Sequence, residues 1–339
     1  LAKMKGTWRR LASSEGLQRS SHVVAASHDE LVVFGGEVKP RQPVDNKLYA
    51  ISLKEKSTEI PDVKILDAPR QSPSPRVGSA STTLKNRAYL FSGRGGEAMS
   101  PIDEEGAIWM LNLSSKAWSY ITPNEGSKYP QARSYHALTS DGNDTLYLHA
   151  GCPESGRLSD LWCFQISLRR WTQLASAPDP PRGGASVALK DESLYRMNGF
   201  DGKTEQGGSL DVYDLESNCW TQRKFTADDR EGPSPRSVSA LLPLDVGGKS
   251  MLITLFGEQD PSSLGHQGAG KMKGDVWAYD LSSQNWTEVQ VDGERPEPRG
   301  WFAAEVTGHD QEESIFVHGG LSESNARLGD IWVLRLDGA

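Results

Sequence analysis

The sequence has little of what disulfide-stabilised, membrane-spanning and secreted proteins need. Its 339 residues include only three cysteines, Cys152, Cys163 and Cys219, which form no CxxC pair, so neither a disulfide framework nor a zinc site is predicted. No apolar run reaches the length of about 18 residues that a membrane helix requires. The first residues, "LAKMKGTWRR", lack the apolar core and cleavage site of a signal peptide. We therefore expect a cytoplasmic protein with no membrane partner.

Positive charge is also scarce. The formal net charge is −8 and no long block of like charge occurs, which argues against a nucleic-acid surface. Only 36% of the residues are hydrophobic, whereas the chain has 34 glycines and 10 tryptophans. This composition favours many short strands and turns over long helices, and so an all-β protein.

One segment type occurs six times along the chain. Examples are "DLWCFQISLRRW", "LDVYDLESNCW" and "DVWAYDLSSQNW", in which apolar and polar residues alternate around a polar bend. This pattern predicts a two-stranded hairpin with period-two burial. A second pair of apolar stretches precedes each hairpin and ends on a small or glycine dipeptide, as in "VVFGG", "LYLHAG" and "IFVHGG". Two hairpins make one four-stranded sheet, so the repeat is a propeller blade.

An arginine introduces each of the six predicted blades, at intervals close to the blade length of about 50 residues. The prediction is one domain, 1–339, with blades at approximately 19–75, 76–132, 133–181, 182–235, 236–298 and 299–339 plus 1–12. The chain ends before the sixth repeat can supply its outer-strand tryptophan, and Trp8 of "GTWRRL" takes that place. We therefore expect the N-terminal strand to complete the last blade and leave no open sheet edge. The six arginines are Arg19, Arg76, Arg133, Arg182, Arg236 and Arg299.

The diglycine ends and tryptophan hairpins resemble the Kelch repeat along the whole chain. The resemblance implies a six-bladed Kelch β-propeller, a fold that serves both binding scaffolds and enzymes, so function has to be argued from a site.

The stretch "GEQDPSSLGHQGAG" places Glu258, Asp260 and His266 in one loop. In a four-stranded blade, the loop that enters the innermost strand and the loop between the second and third strands lie at the same end. All six loops of each kind should therefore surround one mouth of the central channel. Two carboxylates and an imidazole suit a divalent cation such as Fe(II) or Mn(II). The alternative is a solvated turn that hydrogen-bonds to itself.

"FGE" with "GHQGAG", followed by "DVWAYDL" and "PRGWFAAE", resembles the plant nitrile-specifier, epithiospecifier and thiocyanate-forming proteins. This resemblance implies an Fe(II)-dependent lyase or isomerase acting on a small anionic or sulfur-containing metabolite. Glu258 and His266 keep the outer spacing of the family's iron motif, whereas Ser262 stands at the middle position and the aspartate is at 260. Asp260 therefore departs from the family's motif by two residues.

The resemblance also implies an arginine and an aromatic wall at the site. Arg94 of "FSGRGG" and Trp301 of "PRGWFA" are the candidates, with core packing as the equal alternative for Trp301. Arg236 and Arg299, as members of the arginine ring, could help to hold an anionic group, although hydrogen bonding to neighbouring loop carbonyls is the favoured interpretation of that ring. In this hypothesis Glu258, His266 and Arg94 form the catalytic group.

Other chemistries lack their motifs. "GHQGAG" precedes a strand rather than a helix, which excludes a phosphate loop, and no nucleophile elbow or catalytic-cysteine context occurs. The copper ligands of galactose oxidase, another Kelch propeller, cannot be assembled. The rival hypothesis is a non-catalytic scaffold that binds a protein partner on the same loop face.

Overall fold

Short strands build six antiparallel sheets in the computed structural model, which describes residues 4–27, 29–53, 62–309 and 312–337. Two 3₁₀ turns, Glu15–Leu17 and Gly265–Gln267, are the helical elements of these residues. In chain order the first strands are β1 (Lys5–Ser13), β2 (Ser20–Ala26), β3 (Glu30–Lys39), β4 (Gln42–Pro43), β5 (Leu48–Ser52), β6 (Val63–Leu66), β7 (Ala80–Leu84), β8 (Arg87–Phe91), β9 (Arg94–Gly95), β10 (Ser100–Pro101), β11 (Ile108–Asn112), β12 (Trp118–Ile121), β13 (Ala137–Ser140), β14 (Thr145–Gly151), β15 (Leu158–Gln165) and β16 (Arg170–Leu174).

The second half of the chain repeats the same arrangement. Its strands are β17 (Ser186–Lys190), β18 (Ser193–Met197), β19 (Ser209–Asp214), β20 (Cys219–Lys224), β21 (Ala240–Val246), β22 (Lys249–Leu255), β23 (Glu258–Gln259), β24 (Lys271–Met272), β25 (Val276–Asp280), β26 (Asn285–Glu288), β27 (Gln290–Val291), β28 (Arg299–Gly300), β29 (Ala303–His309), β30 (Glu312–His318), β31 (Leu321–Ser322) and β32 (Asp330–Asp337).

Each of these six sheets is one blade of a six-bladed β-propeller, and the strand pairs β9-β10, β23-β24 and β28-β31 form three small sheets apart from the blades. From the channel outwards, blade 1 is β2-β3-β5-β6, blade 2 is β7-β8-β11-β12, blade 3 runs from β13 to β16 and blade 4 from β17 to β20. Blade 5 is β21-β22-β25-β26, and blade 6 is β29-β30-β32-β1-β27. The inner strands contact one another in a closed ring, in the order β2, β7, β13, β17, β21, β29 and back to β2. The predicted all-β propeller is confirmed.

The N-terminal strand closes the ring as expected. β1 pairs antiparallel with β32, with Trp8 opposite Leu334, and a short parallel contact joins Lys5 to Gln290 of β27. Trp8 stacks on Phe256 of blade 5, with ring centroids 5.7 Å apart. The outer-strand Trp118 makes the corresponding contact with Phe34 of blade 1.

Burial differs from the period-two prediction in the middle strands. The first four residues of the outer strand β1 alternate between exposed and buried as predicted, whereas four of the five residues of β8 are buried in succession. The reason is that neighbouring blades cover both faces of each middle strand, and six apolar clusters fill the gaps between consecutive blades. The rigid blades hold the connecting loops in fixed positions at the channel mouth.

Candidate functional site

A closed ring of backbone hydrogen bonds forms the floor of the channel mouth. The residue two positions after each blade arginine has a left-handed φ, between 48° and 63°. Each of these residues donates its N–H to the carbonyl of its counterpart in the preceding blade, at 2.7 to 3.2 Å. Glycine favours this conformation, and two of the six positions are glycine. The ring residues are Ser21, Gly78, Tyr135, Gly184, Val238 and Trp301.

Above this floor lies a cavity with a volume of about 490 Å³. Its wall contains residues of all six loops between second and third strands, including Glu37 of blade 1 and Arg327 of blade 6. The entrances to the innermost strands line the same cavity, for example at Ser134 and Trp301. The structure thus brings the two predicted sets of loops together at one end of the channel.

Arg94 lies in this wall, and each of its three guanidinium nitrogens donates one hydrogen bond. Its Nε donates to the Ser134 hydroxyl at 2.8 Å, and its Nη1 and Nη2 donate to the carbonyls of Met99 and Pro153 at 3.0 and 2.6 Å. It makes no ion pair with a carboxylate in the residues that the structure describes. The guanidinium is therefore held rigidly while its charge is not neutralised by a neighbour.

A second arginine that the sequence analysis missed, Arg157, lies in the same wall. Its guanidinium carbon is 5.7 Å from the ring centroid of Phe200, and Nη1 donates to the carbonyl of Gly156 at 3.2 Å. Its Nε is buried and has no hydrogen-bond partner within the described ranges, and no described carboxylate pairs with it. Its place in a loop between second and third strands was the available signal. Arg94 and Arg157 together give this side of the cavity a positive charge.

Glu258 lies in the wall contributed by blade 5. The residue is 5% exposed, and Oε1 accepts the N–H of Gly270 at 2.7 Å. Burial raises the pKa of Glu258 to about 7, since removal from water disfavours the carboxylate, and the Gly270 N–H only partly opposes this effect. A neighbour that the sequence analysis also missed, Glu205 of blade 4, has its pKa raised to about 8, mainly by burial and further by the charge of Glu258.

Of the other two predicted metal ligands, the structure describes the side chain of Asp260 alone. Asp260 does not line the cavity: its side chain is 66% exposed and lies 3.6 Å from the Nζ of Lys271. His266 belongs to the 3₁₀ turn Gly265–Gln267, but its side chain lies outside what the structure describes. Among the described side chains there is no group of three or more His, Cys, Asp and Glu residues that could hold a metal ion.

Trp301 lines the cavity and is partly exposed, so the structure places it in the pocket wall rather than in the core. Arg236 and Arg299 require a correction, because both are fully buried and neither lines the cavity. Each donates two hydrogen bonds to an aspartate, Arg236 to Asp275 and Arg299 to Asp330. Their guanidinium groups are occupied within the blades and are not available to a ligand.

Three further polar side chains of the wall are either paired or unreactive. Glu37 and Arg327, from opposite ends of the chain, form a buried ion pair at 3.1 Å. Cys152 borders the cavity, and burial raises the pKa of its thiol, which disfavours the reactive thiolate. No described helix is long and apolar enough to cross a membrane.

The family comparison matches residues 21–257 to the model of the KLHDC2/KLHL20/DRC7 Kelch-repeats domain. Over 97% of its length the chain is 26% identical to N-(sulfonatooxy)prop-2-enimidothioate sulfolyase of Thlaspi arvense, of which 97% is covered. It is 23% identical, over 96% of its length, to the leucine-zipper-like transcriptional regulator 1 homolog of Drosophila melanogaster, but spans 32% of that protein. The solved structure of YjhT has the same fold, with a TM-score of 0.70, 15% identity and 95% of both chains covered.

Proposed function

The chain belongs to the Kelch-repeat family, and from that premise we propose that its cavity is the active site of a lyase or isomerase for a small, anionic, sulfur-containing metabolite. One observation carries the proposal: Arg94 and Arg157 present unneutralised positive charge on one side of a cavity whose opposite side holds the buried Glu258. The full-length similarity to a sulfolyase supports the same class of substrate.

The two arginines would bind the anionic group of the substrate. Charge-assisted hydrogen bonds from a guanidinium are strong, and its planar donors suit the oxygens of a sulfate or carboxylate. Arg94 is held by one hydrogen bond from each nitrogen to a fixed acceptor and contributes charge and shape. Arg157 donates from Nη1 to the carbonyl of Gly156 and has no described partner for Nη2, so it is the residue that would contact the anion directly. Trp301 would cover an apolar part of the same molecule.

Glu258 is the described residue that fits a metal ion. It is a buried carboxyl with no cationic partner among the described residues, and one of its oxygens is held in place by Gly270. A divalent cation would provide the missing positive charge. Glu258 and His266 would then hold Fe(II), or Mn(II), and the metal would act as a Lewis acid on a substrate sulfur or oxygen. Asp260 does not fit this role, because its side chain faces solvent and Lys271.

The direct test is sulfate release from N-(sulfonatooxy)prop-2-enimidothioate, measured with and without added Fe(II). We expect the wild-type protein to exceed the protein-free rate. Arg157→Gln should raise KM about tenfold or more, because a hydrogen bond to a charged group is worth about 1.5–3 kcal/mol. Arg230, an exposed arginine outside the cavity, gives the matched control Arg230→Gln, which should leave KM unchanged. A wild-type rate equal to the protein-free rate under both conditions would refute the proposed activity on this substrate.

Measuring the bound iron tests the proposed metal site independently of the proposed activity. After anaerobic reconstitution with Fe(II), the wild-type protein should retain one equivalent, which Glu258→Gln and His266→Ala should lose and Asp260→Asn should keep. Equal iron content in all four proteins would refute the assignment of Glu258 and His266.

The second candidate function is a scaffold that binds a protein partner on the same face. The observation in its favour is Leu264, whose large apolar side chain is 70% exposed on the loop that carries Glu258. In that case Leu264→Asp should abolish binding of the partner, whereas Arg157→Gln should not. If the cavity is catalytic, Arg157→Gln should impair the function of the protein and Leu264→Asp should not.

A further inference from the structure

The blade arginines follow one hydrogen-bonding scheme in blades 3, 5 and 6. In blade 5, the Nε of Arg236 donates to the carbonyl two residues earlier, at Ser234, and Nη1 donates to the carbonyl of Phe256. Nη1 and Nη2 also donate to the two carboxylate oxygens of Asp275, at 2.6 and 2.9 Å. Blades 3 and 6 repeat this scheme with Asp160 and Asp330. We call the place of this carboxylate the fork position.

A tryptophan completes the fork position. Two residues after each of these aspartates, the indole N–H of Trp162, Trp277 or Trp332 donates to the same carboxylate at 2.7 to 2.8 Å. Blade 2 reaches the same result with Glu104, which accepts from both Arg76 and Trp109. Four of the six blades therefore surround the anion of the fork position with donors from two side chains.

Blade 4 has the arginine but not the carboxylate. In blade 3, Trp162 pairs with Leu148, and Asp160, two residues before Trp162, fills the fork position. In blade 4, Asp211 pairs with Arg196 and takes the place of Trp162. Ser209, two residues before Asp211, therefore stands at the fork position. Arg182 keeps the two carbonyl contacts of the scheme, to Pro180 at 3.2 Å and to Asn198 at 3.0 Å. It is 4% exposed, and neither of its Nη atoms pairs with a carboxylate in the described part of the chain.

The nearby acids are already engaged elsewhere. Asp211 accepts hydrogen bonds from the buried guanidinium of Arg196 at 2.5 and 2.8 Å. This pair is neutral as a whole, so Asp211 does not balance the charge of Arg182. Asp201 accepts the backbone N–H groups of Lys203 and Thr204 on the surface. Burial lowers the pKa of Arg182 to about 10, and the charge of Arg196 adds to this effect, so Arg182 is still a cation at neutral pH.

The fork position is open to solvent. In blades 3, 5 and 6 the aspartate side chains that fill it are 14 to 16% exposed, although their arginines are completely buried. Ser209 is likewise partly exposed. Because serine lacks the carboxylate group of aspartate, an ion can approach the two Nη atoms from the loop face.

We propose that blade 4 contains a binding site for a small monovalent anion, in which Arg182 Nη1 and Nη2 hold the ion at the place of the missing carboxylate. The Ser209 hydroxyl donates to Asp211 Oδ1 at 3.4 Å and is not counted among the ion's ligands. The ligand class is a compact monoanion with carboxylate-like or halide-like dimensions, such as formate or chloride. The site lies behind the wall of the central cavity and is independent of any reaction there. Its effect is to neutralise a buried charge and so to stabilise blade 4.

The test compares thermal unfolding in formate and in gluconate, a carboxylate too bulky for the site, at constant ionic strength. Wild-type protein should gain about 1 °C or more in Tm as formate replaces gluconate, because a ligand that binds only the folded state stabilises it. Ser209→Ala should keep most of this gain. Ser209→Asp, which rebuilds the arrangement of blades 3, 5 and 6, should unfold at a higher Tm in gluconate and gain nothing from formate.

A second variant, which removes a carboxylate instead of adding one, keeps the test valid if Ser209→Asp does not fold. Asp160→Ser vacates the fork position of blade 3, where Asp160 is the carboxylate that pairs with Arg133 among the described residues, and it should gain more from formate than the wild-type protein does. The proposal is overturned if wild-type protein has the same Tm in both salts, or if Ser209→Asp responds to formate as wild type does. An Asp160→Ser response no larger than that of wild type would also contradict it.

Discussion

The closing strand offers the most quantitative prediction, the replacement of Trp8 by alanine. Trp8 is 6% exposed, stacks on Phe256 at 5.7 Å and meets Trp332 edge-on at 6.5 Å. Removing a buried indole of this kind costs about 3–5 kcal/mol. With an unfolding entropy of about 2.1 cal/mol/K per residue, a loss of about 4 kcal/mol in a chain of this length lowers Tm by about 6 °C.

The assay is thermal unfolding followed by far-UV circular dichroism, which does not depend on the fluorescence of the removed tryptophan. Leu168→Ala is the control, because Leu168 is an apolar residue with 48% exposure and its loss should change Tm by less than about 1 °C. If Trp8→Ala changed Tm as little as the control does, β1 would not hold the ring closed, and the reasoning from strand pairing and burial would be refuted.

Three further predictions concern a buried ion pair, the channel floor and the thiols. Burial raises the pKa of Asp275, but hydrogen bonds and charge from Arg236 outweigh this and hold it below its usual value. The stabilisation is therefore fully present above about pH 4 and is lost as the pH falls through the lowered pKa of the folded state. Asp275→Asn should cost about 3 kcal/mol at pH 7 and progressively less as the pH falls below about 4, and a cost that did not fall with pH in urea titrations would contradict this. Trp301→Gly should change Tm by less than about 2 °C, since glycine accepts the left-handed φ of 51°. The same change should weaken substrate binding in the sulfate-release assay. A large loss of Tm would instead show that Trp301 is a core residue. Exposed Cys219 should react with iodoacetamide before Cys152, whose thiol has a raised pKa, and peptide mass spectrometry showing the reverse order would contradict the burial of Cys152.

The arginine ring shows how a repeat pattern predicts a contact without specifying its partner. Sequence spacing located all six arginines and favoured hydrogen bonds to loop carbonyls, and the structure shows these bonds for each of them. The aspartates that neutralise Arg133, Arg236 and Arg299 lie 27 to 39 residues further along the chain. Spacing alone could not show that these carboxylates occupy Arg236 and Arg299, and so their expected role in substrate binding was wrong.

The cavity wall contains both a residue that the sequence predicted and one that it did not. Glu258 was predicted from its loop and lies in the wall, whereas Arg157, which lies in the same wall, carries no motif of its own. Arg157 lies in an ordinary loop between second and third strands, and only the convergence of six loops brings the residues of such loops to the mouth of one channel. Asp260 was separated from Glu258 by its local turn, with a φ of 51° that directs its side chain towards Lys271.

The number of blades, their order and the closure through Trp8 were readable from the sequence alone, because burial and turn residues recur with the period of the blade and these are local properties. Which charges are neutralised and which face the cavity became clear from the folded structure. Charge pairing depends on distances below about 4 Å between residues that are far apart in the chain, and such distances exist only once the blades have folded and the ring has closed.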